Sequence, residues 1–116
     1  MIKFATVRGD VLVDDRNKPE IPAILAKIGL ELDQNGKYLI ATNQSSSAEL
    51  LLGGRKISLK PSSSLRIMGN KSVFGCHNET WHRHASWKTL LGRIWLRLDS
   101  DASEDDTRNS VIGVRG

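Results

Sequence analysis

The chain has 116 residues, with 17 Lys and Arg against 13 Asp and Glu and a formal net charge of +4. That length suits one domain with a modest core. A single cysteine, Cys76, excludes an internal disulfide, and no run of about 18 apolar residues exists to span a bilayer as a helix. The charge is dispersed along the chain, which implies mild attraction to anionic surfaces and nothing sharper.

Taken in order, Phe4–Val13 reads as a strand broken at Gly9-Asp10, where a bulge or tight bend fits. Lys3, Arg8 and Asp10, with no long apolar run, distinguish this opening from a signal peptide, so export would need a targeting segment outside this sequence. Residues 14–19 form a polar turn. Ile21–Leu32 reads two ways: Ile24, Leu25 and Ile28 have helical spacing, while Leu30 and Leu32 alternate as in a strand. Pro22 and Gly29 weaken a long helix, so a helical turn or irregular crossing followed by a brief strand is expected. Asp33–Gly36 carries Asn-Gly turn chemistry, and Tyr38–Thr42 reads as a strand.

The clearest signal lies in Ser47–Ile67. Ala48, Leu50 and Leu52 alternate with Glu49 and Leu51, and beyond Gly53-Gly54 Ile57 and Leu59 alternate with Lys56, Ser58 and Lys60. Period-two alternation places one set of side chains on a buried face. Gly-Gly between two such runs predicts a two-residue hairpin, because primed turns need positive φ. That register sets Leu50 opposite Ile57, Ala48 opposite Leu59 and Leu51 opposite Lys56, with Glu49 diagonal to Lys56 and Lys60. Pro61 ends the second strand, Ser62–Ser64 makes a turn, and Leu65-Arg66-Ile67 starts a third.

After Gly69-Asn70 comes a short Val73-Phe74 strand. Trp87, Leu90, Leu91, Ile94, Trp95 and Leu98 then stand at i, i+3, i+4, i+7, i+8 and i+11, an amphipathic-helix match. Gly92 and the alternation of Ile94, Leu96 and Leu98 oppose it. Asp99–Asp106 is acidic and poor in apolar residues, which suits a solvated loop, and Ser110–Val114 reads as a closing strand.

In sequence order these segments resemble the FecR domain of bacterial envelope proteins. Val7-Arg-Gly-Asp-Val-Leu-Val13 is similar to the family's opening strand, Gly29 through Thr42 to the stretch leading into its small-residue turn, and Ser47–Ile67 to its strand, glycine turn and Ser-rich turn. Leu91-Gly-Arg-Ile-Trp-Leu-Arg-Leu98 resembles the later strand, and Ile112-Gly-Val-Arg-Gly116 the closing Gly-Val-Arg-Gly. The match is weakest over 68–88, and the threonine and final strand that follow in the family are missing here. The resemblance implies a single FecR-like β domain over 1–116, with a loop region at 68–88 and an acidic loop at 99–107. It implies a mainly β fold, an antiparallel sandwich or barrel-like pair of sheets. It also implies strand for Arg93–Leu98, and that reading is adopted, leaving at most one short helix near residues 86–91.

Candidate sites are few. Cys76, His77, His82 and His84 are the only cluster with metal-ligand chemistry, but the spacing C-H-x4-H-x-H matches no structural zinc motif, and a His-rich loop explains it as well. A Cys76 thiol nucleophile would need an oriented base and oxyanion donors that the sequence does not show. Trp81, Arg83, Lys88, Arg93 and Arg97 are the one aromatic-plus-basic concentration, suited to stacking on sugars or bases and holding phosphates. The competing explanation makes the tryptophans core and the cations a wet edge balanced by the acidic loop. No cofactor and no catalysis are expected. The resemblance implies a non-catalytic binding or scaffold module of the periplasm or cell envelope, engaging a protein or an envelope glycan. The sigma-factor relay of the best-known FecR proteins needs a sigma-binding segment and a membrane helix, which this sequence lacks. The alternatives are a small basic nucleic-acid-associated protein using 81–97 and a self-assembling protein joined through sheet edges, and the alternative location is the cytoplasm.

Overall fold

The computed structural model describes residues 1–69, 71–79, 81 and 87–98. Among the described residues nine strands run in chain order as β1 (Ile2–Arg8), β2 (Val11–Asp15), β3 (Ile24–Leu25), β4 (Glu31–Leu32), β5 (Lys37–Thr42), β6 (Ser47–Leu52), β7 (Arg55–Leu59), β8 (Ser63–Met68) and β9 (Lys71–Cys76). A helix, α1, covers 87–98. The strands form two antiparallel sheets, a four-stranded one ordered β4-β1-β6-β7 and a five-stranded one ordered β3-β2-β5-β8-β9.

The hairpin forms in the expected register, with Leu50 opposite Ile57, Ala48 opposite Leu59 and Leu51 opposite Lys56. Gly53 and Gly54 have φ of 57° and 82°, the left-handed values that a primed two-residue turn requires at both central positions. Lys56 reaches Glu49 at 3.3 Å on the wet face. The chain changes sheets at two of the predicted breaks. Gly9-Asp10 is a bend that sends β1 and β2 into different sheets, and the turn after Pro61 carries β8 away from β7 into the five-stranded sheet. Between Ile21 and Leu32 the chain is irregular apart from the two-residue strands β3 and β4.

Two cores result. Ile2, Phe4, Leu50, Ile57 and Leu59 of one sheet face Val11, Val13, Ile40, Leu65 and Ile67 of the other. The opposite side chains of the five-stranded sheet, including Leu12, Leu39, Ala41 and Val73, pack under Leu90, Leu91, Ile94, Trp95 and Leu98 of α1. The molecule is thus a β-sandwich with a helix as third layer.

That helix corrects the strand expected for Arg93–Leu98 and extends the short helix expected near 86–91. The physical reason is the stripe itself. Leu90, Leu91, Ile94, Trp95 and Leu98 are all nearly inaccessible, whereas Leu96 is 66% exposed. A strand would have pointed Leu96 the same way as Ile94 and Leu98. Burying each large apolar side chain contributes about 1.5–3 kcal/mol, which outweighs the roughly 1 kcal/mol that Gly92 costs a helix. Gly75 on β9 lets the end of α1 approach, since a Cβ there would lie 2.3 Å from Leu98 Cδ2.

Two substitutions separate helix from strand. Gly92→Ala should stabilise the fold by about 0.5–1 kcal/mol in urea denaturation, because its new Cβ would meet nothing closer than Arg16 Nη1 at 3.9 Å. Leu91→Ala should cost about 2–5 kcal/mol and Leu96→Ala less than about 0.5 kcal/mol; comparable losses at Ile94 and Leu96 would restore the strand.

Candidate functional site

A polar cluster lies where α1 crosses the five-stranded sheet. Strand alternation turns Asp14 of β2 to the same face as Leu12, under the helix, where its carboxylate is fully buried. It accepts hydrogen bonds from Arg16 Nη1 at 2.8 Å and from Lys88 Nζ at 2.5 Å. The Lys88 ammonium also donates to the carbonyls of Ile21 at 2.7 Å, Lys18 at 3.1 Å and Asp15 at 3.4 Å. Lys88, in the first turn of α1, therefore pins the helix to the irregular segment after β2. A buried carboxylate is tolerated because two cations meet it.

Trp95, two turns further along α1, is 6% exposed. Arg16, Lys37 and Arg66 surround it, their charged centres 5.4, 5.3 and 5.2 Å from the ring centroid. All three lie within cation–π range.

A second polar group sits past the end of β9. His77 is 5% exposed. Its Nε2 lies 3.2 Å from the Ser63 carbonyl, and its Nδ1 accepts the Glu79 N–H at 3.0 Å. This pattern assigns the neutral tautomer with the proton on Nε2. The ring stacks on Trp81, with centroids 6.1 Å apart. Burial holds the imidazole below its ordinary value of 6.5. Glu79 accepts from Arg97 Nη2 at 3.0 Å and lies 3.6 Å from Arg93 Nη2. The hydrogen bond from Arg97 keeps this carboxyl below its ordinary value of 4.5. Cys76, His77, Asn78, Glu79 and Arg97 line a groove of about 420 Å³ here.

The outer face of the four-stranded sheet is bare among the described residues. Lys3, Thr6, Arg8, Lys56 and Lys60 are exposed on it, and Leu51 is 41% exposed. Thr6, Arg8, Glu49, Ser58 and Lys60 line a second groove there, of about 350 Å³.

The structure thus divides the expected aromatic-plus-basic site. Trp81 is core, 5% exposed, and packs in the cluster beneath α1. Lys88 turns inward to Asp14, while Arg93 and Arg97 point outward to Glu79. Arg83 lies outside the described residues, as do His82 and His84. Cys76 is exposed and His77 buried, and no group of three or more His, Cys, Asp or Glu with metal-binding geometry occurs among the described residues. The acidic loop at 99–107 and the expected strand at Ser110–Val114 also fall outside them. The Asp14–Arg16–Lys37–Arg66 cluster was not anticipated from sequence, since its members come from β2 and the turn after it, from β5 and from β8, with no spacing in common. Comparison with family models, with curated proteins and with solved structures returns no match to this chain.

Lys88→Met should cost about 2–3 kcal/mol, because Asp14 keeps only Arg16 and three carbonyls lose a donor; a loss under about 0.5 kcal/mol in urea denaturation would contradict the pinning role. The His77 shift fixes a sign. With a folded value depressed below 6.5, the unfolded chain takes up the proton first, so stability is full above pH 6.5 and falls as pH drops below it. Glu79 adds to the fall below its ordinary 4.5. In pH-dependent thermal melts, His77→Gln, which can still donate to Ser63, should flatten the slope between those two values; an unchanged slope would refute the assignment.

Proposed function

We propose that the chain is a non-catalytic β-rich binding or scaffold module of the FecR type, acting in the periplasm or cell envelope on a protein or an envelope glycan. The order of its sequence segments supports this reading, by analogy. The observation that carries it is the asymmetry of the sandwich. One sheet is sealed by α1, and the buried polar groups Asp14 and His77 are engaged with internal partners. The other sheet presents a broad outer face whose groove mixes hydroxyl, cationic and carboxylate groups, as polar recognition requires.

Trp81 and Trp95 are buried, so neither offers a ring face for stacking on bases, which weakens the nucleic-acid alternative. Edge-to-edge assembly has to contend with Arg55, Lys56, Lys60 and Pro61 at the exposed edge formed by β7, residues that discourage strand pairing.

Co-sedimentation with purified peptidoglycan and pull-down from an envelope extract test the proposal. The native chain should be retained in at least one of them. Arg8→Glu with Lys60→Glu should abolish retention while leaving the melting temperature within about 2 °C, because both side chains are exposed. Retention that ignores these changes, or no retention in either assay, overturns it. Trp81→Ala and Trp95→Ala are unsuitable probes, since core truncation would unfold the chain.

A further inference from the structure

We propose that the groove on the outer face of the four-stranded sheet binds an extended acidic peptide segment, whose carboxylates meet Arg8 and Lys60. The inference rests on the reading of that face as the binding surface, and it names the partner as a protein rather than a glycan.

Strand register builds the groove. Arg8 of β1 pairs with Ser47 of β6, and Lys60 follows Leu59, the partner of Ala48, which sets it beside Ser47 on the far side. One row across three strands therefore reads Arg8, Ser47, Lys60, and the next reads Thr6, Glu49, Ser58. Side chains of both rows line the groove of about 350 Å³. Adjacent strands lie about 4.8 Å apart, so the two cations stand roughly 10 Å apart at their backbones, with a hydroxyl between them. In an extended peptide, side chains on alternate residues are about 7 Å apart and those three residues apart about 10 Å. The long stems of Arg8 and Lys60 let their charged ends reach carboxylates at either spacing.

The carboxylate already in the groove is engaged. Glu49 accepts from Thr6 Oγ1 at 3.2 Å and lies 3.3 Å from Lys56 Nζ. The side chains of Arg8 and Lys60 are exposed and have no ion pair or hydrogen bond with any described residue. Two positive charges thus line the groove uncompensated. An anionic partner complements them, whereas a second copy of this face would repel them. None of the six aromatic side chains lies on this face: Phe4, Tyr38 and Phe74 belong to the sandwich core and the three tryptophans to the cluster under α1. Stacking on a sugar ring or a base needs an exposed ring face, so the groove does not suit a glycan. The row beyond Glu49 offers Leu51 instead, 41% exposed between Lys3 and Lys56. That combination suits a peptide carrying an apolar side chain beside its acidic ones.

Fluorescence polarisation of the full chain with three labelled probes tests this: a short glutamate-rich peptide with one central leucine, the same peptide with glutamine in place of glutamate, and an oligogalacturonate as acidic glycan. Saturable binding of the glutamate peptide is expected, weakening as sodium chloride is raised. The glutamine peptide should bind at least about tenfold more weakly, because two exposed ion pairs contribute up to about fivefold each. Arg8→Glu with Lys60→Glu should abolish binding. Lys18→Glu with Lys71→Glu alters the net charge equally at exposed residues that β2 and β9 place with the five-stranded sheet, and should bind as the native chain does. Equal loss in both double variants, or equal affinity for the glutamate and glutamine peptides, would overturn the inference. So would failure of the native chain to bind the glutamate peptide. In that event, binding of the oligogalacturonate, or retention by peptidoglycan or envelope extract that still depends on Arg8 and Lys60, would leave the outer face standing as the binding surface.

Discussion

The five-stranded sheet is buried on both faces, and the rest of the molecule follows from that constraint. Its inward side chains, Val11, Val13, Ile40, Leu65 and Ile67, close the sandwich, and its outward ones, Leu12, Leu39, Ala41 and Val73, need a cover. The apolar stripe of α1 supplies it. A sheet of this kind cannot stand with one of these faces wet, because several large side chains would each forfeit about 1.5–3 kcal/mol. The helix is therefore an integral layer of the fold, and its position decides which polar groups end up in a low-dielectric setting.

Those polar groups explain the electrostatics. Asp14 shares a face with Leu12 and Leu39 and is buried with them, so its charge has to be met by Arg16 and Lys88. Lys88 meets it from the first turn of the helix and closes off three carbonyls of the segment after β2. The cations gathered at Trp95 arise from the same alternation, since Lys37 and Arg66 share the outward parity of Leu39. Packing set the positions, and charge followed. The four-stranded sheet carries no such burden, and its outer residues stay in water.

How much of this was legible in the sequence depends on how many faces an element buries. The β6–β7 hairpin was readable to the register because one face is wet, which leaves a clean alternation around Gly53-Gly54. Strands β2 and β5 read only as apolar runs, and nothing in Val11-Leu12-Val13 says that Leu12 faces a helix. At 93–98 two periodicities competed: the stripe from Trp87 to Leu98 favoured helix, and Ile94, Leu96 and Leu98 favoured strand. The stripe gives the fold, and the exposure of Leu96 shows why. The site was less legible. Lys88 and Arg97 were marked as surface cations by composition, but their partners Asp14 and Glu79 are remote in sequence or hidden in a loop, and only the folded chain pairs them.

Residue-resolved hydrogen–deuterium exchange tests the central claim most directly. If α1 is an integral layer over the five-stranded sheet, the amides of 91–98 should exchange within about tenfold of the protection factors of β5, both reporting global opening. If the helix amides exchanged orders of magnitude faster while β5 stayed protected, the helix would be a loosely attached appendage and the three-layer account would be wrong.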